Sequence, residues 1–157
     1  MIRFEVNTKP RGKERARHGK HSTYSTKAMV AYENEIKLIA RQAMVKARLQ
    51  SSKNPLHVTI HAYFKPTKSW AVSKKDLAYT GGLGHTSKPD ADNISKAVLD
   101  AMNGIVYNDD SQVVSLTVTK EFVGYGGNDK IAIMVSEINL APSSIKTQKD
   151  YDDWITE

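Results

Sequence analysis

Residues 27–64, KAMVAYENEIKLIARQAMVKARLQSSKNPLHVTIHAYF, change their hydrophobic period part-way along, and that change decides the fold class. In the first half Met29, Tyr32, Ile36, Ile39, Ala43 and Ala47 recur at steps of three and four, the pattern of a helix that buries one face. Lys37, Arg41, Lys46 and Arg48 lie off that stripe. Ser25 or Thr26 offers a capping hydroxyl at the start. Asn54-Pro55 closes the segment, because a residue before proline is pushed out of the helical region. From Leu56 the period drops to two. Leu56, Val58, Ile60, Ala62 and Phe64 share one face, and His57, Thr59, His61 and Tyr63 share the other. Lys65-Pro66 ends this strand.

Working outward, Ile2, Phe4 and Val6 alternate with Arg3 and Glu5, which predicts a first strand over 2–6. Residues 8–26 hold Lys9, Pro10, Gly12 and Gly19 without a usable apolar pattern, and read as a long basic loop. Residues 66–89, with Trp70 and three glycines at 81, 82 and 84, read as a second irregular stretch. Ile94, Ala97, Val98 and Ala101 predict a helix over 91–103 that Asn103-Gly104 ends. Val114, Leu116, Val118 and Phe122 predict a strand. Ile131, Ile133 and Val135 predict another, joined to it as a hairpin through Gly124–Asn128. The order β-α-β-α-β-β makes an α+β fold: a mixed sheet of about four strands covered by two helices, a two-layer sandwich. Residues 1–140 are expected to form a single domain, with 141–157 a polar, acidic, frayed tail.

Composition narrows the function. The 157 residues include no cysteine, which excludes a disulfide scaffold, a thiolate zinc site and a cysteine nucleophile. No stretch approaches the ~20 apolar residues of a membrane span, and the first twenty residues are too polar for a signal peptide, so a cytoplasmic protein with no membrane partner is expected. The net charge of +6 is uneven. Residues 1–53 carry thirteen Lys/Arg against four Asp/Glu, and the rest carries ten against thirteen. A basic half of this kind suits an anionic partner such as nucleic acid, although a solvated surface would look the same.

The chemistry concentrates in residues 88–112, KPDADNISKAVLDAMNGIVYNDDSQ. Asp90 and Asp92 flank the start of the second helix, and Asp109 and Asp110 follow its end. A helix of about 11 residues spans roughly 16 Å. The four residues 105–108 could cover about 13 Å on the way back, so a meeting of Asp110 with Asp92 is feasible but not assured. Three carboxylates brought together need a cation, and oxygen ligands favour Mg²⁺ or Mn²⁺. Lys96 lies one turn beyond Asp92 on the same face, placed to stabilise charge on a phosphate, with Asp100 a further turn along to hold it. Each element has a plainer reading. Asp90 or Asp92 makes a good helix cap, Asn108-Asp109-Asp110-Ser111 makes a good turn, and Lys96–Asp100 makes an ordinary surface pair. Gly81-Gly82-Leu83-Gly84 lacks the Lys-Ser/Thr of a phosphate-binding loop.

The joint pattern is more specific than its parts. Asp-x-Asp-Asn-x-x-Lys at 90–96, Leu-Asp-Ala-x-Asn-Gly at 99–104 and Asp-Asp-Ser-Gln-Val at 109–113 resemble the RusA family of Holliday-junction resolvases, especially its phage and prophage branch. Upstream, Lys-x-Arg-x-Arg at 13–17 and Ser-Trp-x-x-Ser-Lys-Lys at 69–75 extend the resemblance over most of residues 1–123. The resemblance implies that Asp90, Asp92 and Asp110 bind a divalent metal, Mg²⁺ or Mn²⁺, and that Lys96 assists cleavage. Asn93, Asp100 and Asp109 stand as supporting residues. It also implies a homodimer that cuts branched DNA, a four-way junction, by paired phosphodiester hydrolysis. Arg11, Lys13, Arg15 and Arg17 would then lie on one side of an extended loop, about 6.6 Å apart, as contacts to the DNA backbone, joined by Lys74 and Lys75. Trp70 serves equally as a DNA contact or a packing anchor, and His85 is not assigned to the metal. Two other classes compete: a non-catalytic basic nucleic-acid-binding module, which would bind without cutting, and a small nucleotide phosphohydrolase, which would turn over without branched DNA.

Overall fold

The computed structural model describes residues 1–14, 17–18, 23–138 and 146–156. Four strands, β1 (Ile2–Val6), β4 (Leu56–Phe64), β5 (Val113–Phe122) and β6 (Lys130–Glu137), form one sheet in the order β1-β6-β4-β5. A two-residue pair, β2 (Arg17–His18) and β3 (Thr23–Tyr24), forms a separate small ladder inside the stretch expected to be loop. Helix α1 (Lys27–Ala47) and helix α3 (Ala91–Met102) pack against each other, α1 also against β1 and α3 against β5. The expected two-layer α+β sandwich is therefore present.

The core lies between these layers. Inward residues of the strands, among them Phe4, Val58, Ile60, Ile131 and Ile133, meet Met29, Tyr32, Ile36, Ala40 and Met44 of α1 and Ile94, Val98 and Met102 of α3. The buried stripe of α1 thus continues through Ala40 and Met44. Ile39 and Ala43 sit at its margin and Ala47 is exposed, because a four-residue step keeps closer register with 3.6 residues per turn. Thr26 caps the helix by accepting from the Met29 amide at 3.2 Å. The helix ends at Ala47, before Asn54-Pro55, as Arg48 turns left-handed at φ 53°.

Strand pairing departs from expectation in one respect. β5 and β6 are not a hairpin, because β4 lies between them, parallel to β5 and antiparallel to β6. Side-chain character explains the exchange. Ile131, Ala132, Ile133 and Val135 of β6 are buried, as a central strand requires. β5 carries Ser115, Thr117, Thr119 and Glu121 on one face and stands at the edge. Helix α3 is then the crossover that parallel strands β4 and β5 need. β1 and β4 both run antiparallel to β6, so the first helix does join parallel strands, although β6 separates them.

Two further helices were not expected. Helix α2 (Val72–Tyr79) occupies part of the second irregular stretch, and helix α4 (Gln148–Thr156) occupies part of the tail. Among the described residues no helix is long and apolar enough to cross a membrane.

Candidate functional site

Asp90 sits at the N-cap position of α3, in extended conformation, yet its side chain makes no capping hydrogen bond. Asp92 lies in the first turn, 68% exposed, and its Oδ2 is 3.9 Å from Lys96 Nζ. Among the described residues neither carboxylate is spent on a hydrogen bond to the backbone. The plain capping reading of Asp90 therefore does not hold. Ser95 donates to the Asp92 carbonyl at 2.7 Å, which ties the first turn without using either carboxylate.

The other acidic pair stands at the far end of the same helix. Gly104 N donates to Tyr107 O, Val106 N donates to Met102 O, and the buried Tyr107 hydroxyl donates to Leu99 O at 2.9 Å. The chain therefore folds back tightly beside the C-terminus of α3 and does not run along the helix toward Asp92. Burial, and then the charges of Asp110, Asp100 and Asp109, push the Tyr107 phenol well above its ordinary pKa. Asp92 and Asn103 are eleven residues apart along α3, about 16 Å of rise. A second ruler agrees. Lys120, near the end of β5, donates to Ser87 O at 2.6 Å, so β5 leads from Asp110 at its start to the Asp90 region at its end. Among the described residues no three His, Cys, Asp or Glu side chains converge closely enough to hold a metal ion.

Within the second pair the two aspartates differ. Asp109 accepts from the Ser111 amide at 2.9 Å and caps a 3-10 turn over Asp110–Gln112. Hydrogen bonds from the Ser111 side chain and amide hold its carboxyl below the usual carboxylate range. Gln112 completes the box by accepting from the Asn108 and Asp109 amides. Asp110 is exposed at the head of that turn.

Asp100 does not hold Lys96. Its Oδ2 lies 2.7 Å from Lys13 Nζ, which also reaches Glu33 Oε1 at 2.6 Å. Lys13 is thus turned inward between α3 and α1, and the expected one-sided comb of basic residues is broken there. Burial opposes its charge, but hydrogen bonds to Asp100 and Glu33 raise its pKa above the usual lysine value. The Lys13 amide donates to Asn93 O at 2.8 Å. A Cβ on Gly12 would stand 2.9 Å from the Asn93 Cβ and 3.0 Å from that of Pro89, so glycine permits this close docking of the arm on α3. Asn93 acts here through its backbone, as the seat of the arm. Arg11 is exposed beside it; Arg15 and the side chain of Arg17 lie outside the described residues.

The Glu33 side chain is 14% exposed, so removing its partner strands a nearly buried carboxylate. Lys13→Ala is expected to cost about 1 to 2 kcal/mol of unfolding free energy, read by urea titration. A change below about 0.5 kcal/mol would mean that the pair does not tie the arm to the helices.

The second basic stretch is built around aromatics. Lys74 lies 4.0 Å over the Trp70 ring, and Trp70 meets Phe122 edge-on at 5.5 Å, so Trp70 is a packing anchor. Tyr79 stacks on Tyr125 at 4.6 Å, and the Tyr125 hydroxyl donates to Asp76, pinning α2 to the turn between β5 and β6. His85 stacks on Phe64 at 3.9 Å. Burial, then Lys120 and Lys9, lower its pKa. His57 and His61 pair with Ser115 and Thr119 hydroxyls across β4 and β5.

Comparison with known proteins gives this geometry a context. The family model for endodeoxyribonuclease RusA matches residues 5–136, a span that includes β4, β5 and both ends of α3 and begins within β1. The chain is also 32% identical over 144 residues to the uncharacterized protein YqaN of Bacillus subtilis (strain 168), covering 88% of this chain and 97% of that protein. The motif at 90–113, its placement at the two ends of one helix and the extent of the match lead to one statement: the chain belongs to the RusA endodeoxyribonuclease family.

Proposed function

We propose that this protein is a Mg²⁺- or Mn²⁺-dependent endonuclease that resolves four-way DNA junctions, working as a homodimer and with residues 1–140 as its nuclease domain. The observation that carries the reading is the pair Asp90 and Asp92, exposed and free of capping duty at the N-terminus of α3, beside Lys96. An acidic pair spent on local structure would look like Asp109. This one offers hard oxygen donors, and they fit a small divalent cation.

Asp110 stands about one helix length away in the same chain, so a three-aspartate site draws Asp110 from a second copy. The edge strand β5 supports that arrangement. It is ten residues long, unpaired on one side among the described residues, and exposes Val114 (62%) and Leu116 (43%). Two copies related by a two-fold axis and paired antiparallel along β5 would set the start of one strand against the end of the other. The start carries Asp110, and the end is the one that Lys120 ties to Ser87, close to Asp90. The twofold axis matches the near symmetry of a four-way junction and yields two nicks.

Asp90, Asp92 and the second copy's Asp110 would hold the cation. When bound, it supplies Lewis-acid stabilisation of the phosphate and a hydroxide source at neutral pH. Lys96, one turn from Asp92, places a positive charge beside the phosphate oxygens as negative charge grows on them. Arg11, Lys74 and Lys75 hold the backbone without reading sequence.

A labelled synthetic four-way junction, tested beside a linear duplex of the same sequence, checks the reading. Paired symmetric nicks in the junction with Mg²⁺ or Mn²⁺, lost with EDTA, are expected. Tight junction binding with no cutting under any metal would replace this reading with the non-catalytic basic module.

A further inference from the structure

Four lysines, Lys9, Lys65, Lys68 and Lys75, line one cleft of about 640 Å³ between the end of β4, helix α2 and the turn joining β5 to β6. Its one acidic wall residue, Asp129, accepts from the Lys65 amide at 2.6 Å and so serves the loop. Three lysines elsewhere meet carboxylates: Lys13 meets Glu33 and Asp100, Lys96 meets Asp92, and Lys130 meets Glu5. Among the described residues none of the four cleft lysines has an ion-pair partner. Their mutual repulsion is relieved by a polyanion.

The cleft is also continuous with the acidic site. Lys9 lines both it and a smaller cleft of about 270 Å³ with Arg11 and Pro89. Pro89 in turn lines a third, of about 460 Å³, whose wall includes Lys88, Asp90 and Asn93. A track of Lys68, Lys9 and Arg11 therefore leads to Asp90, with Glu14, which accepts from the Thr26 hydroxyl, as the acidic residue along its wall. Tyr79, stacked on the exposed Tyr125, forms part of the wall at the far end.

We infer that Lys9, Lys65 and Lys68 extend the backbone contact of Lys75 into a DNA-binding cleft beyond the acidic end of α3, which grips phosphates of the strand that continues away from the cut. The inference rests on the endonuclease reading and adds to it the path of one junction arm. Ammonium groups on flexible stems suit this task, because they hold phosphates as point charges without demanding one base sequence.

The test is four-way junction binding in EDTA across a salt series, with wild type, Lys65→Ala/Lys68→Ala and, as an equal-charge control, Lys46→Ala/Arg48→Ala at the end of α1. The cleft variant is expected to lower the slope of log K against log salt by roughly two, about 0.9 per lost phosphate contact, while the control keeps the wild-type slope. At saturating junction with Mg²⁺, the cleft variant should nick at close to the wild-type rate, since the loss lies in binding. An unchanged slope in the cleft variant, or an equal fall in the control, overturns the cleft site and leaves the endonuclease reading standing. Wild type that neither binds nor cuts the junction overturns both.

Discussion

Asp92→Asn is expected to reduce junction cleavage by more than about a hundred-fold, because loss of even the outer partners of metal ligands costs roughly 10- to 100-fold. Junction affinity measured in EDTA should change little, or rise slightly as a negative charge leaves the neighbourhood of the phosphates. The structure makes this a clean substitution. Asp92 is 68% exposed, and its carboxylate touches Lys96 at 3.9 Å. The hydrogen bond that organises the turn uses its backbone carbonyl. Asparagine keeps the size and the backbone bond, so folding stability should stay within about 0.5 kcal/mol of wild type. What changes is one anionic oxygen pair, which becomes a neutral amide. Gel-based cleavage rates and a binding titration on the same preparation check the split. Parallel loss of binding would place Asp92 on the DNA-holding surface, and unchanged cleavage would remove it from the site.

How legible this was in the sequence differs between the fold and the site. α1 and β4 were readable because a one-sided burial pattern repeats over many residues, at period 3.6 and then period 2. α2 was not, because one buried residue, Ala78, carries its packing, and the rest of its support comes from Tyr125 forty-six residues later. Nearest-neighbour pairing of β5 with β6 is the usual arrangement, and it fails here because β6 is the strand whose whole middle is apolar. The acidic motif was readable as chemistry but not as geometry. Helix length alone set Asp92 and Asn103 about 16 Å apart, but the direction of the return loop depends on Tyr107 reaching Leu99, a contact that no spacing rule supplies. Lys13 shows the same limit. Its place in an alternating basic run suggested a DNA contact, whereas Glu33 and Asp100, twenty and eighty-seven residues away, turn it inward.

The separation of the aspartates gives the most discriminating result. Asp92→Asn and Asp110→Asn, each alone, leave every site of a homodimer one carboxylate short. In a mixed dimer with sites shared between copies, one site takes Asp90 and Asp92 from the Asp110→Asn copy and Asp110 from the Asp92→Asn copy, and is intact. The other site carries both lesions. Random assembly of co-expressed chains makes about half the dimers mixed, so nicking should return to about a quarter of the wild-type rate. The products should also change in kind, to single nicks rather than paired ones, since no dimer holds two intact sites. If each site lay within one chain, every site in the mixture would keep a lesion and no activity would return. The edge strand supplies an internal control. Leu116→Lys places a charge on the exposed apolar strip of β5, where an edge charge blocks strand pairing. In both co-expressed chains it should abolish the recovery along with dimer formation, read by sedimentation. Recovery that survives while the chains still sediment as dimers would mean that the copies do not meet along β5.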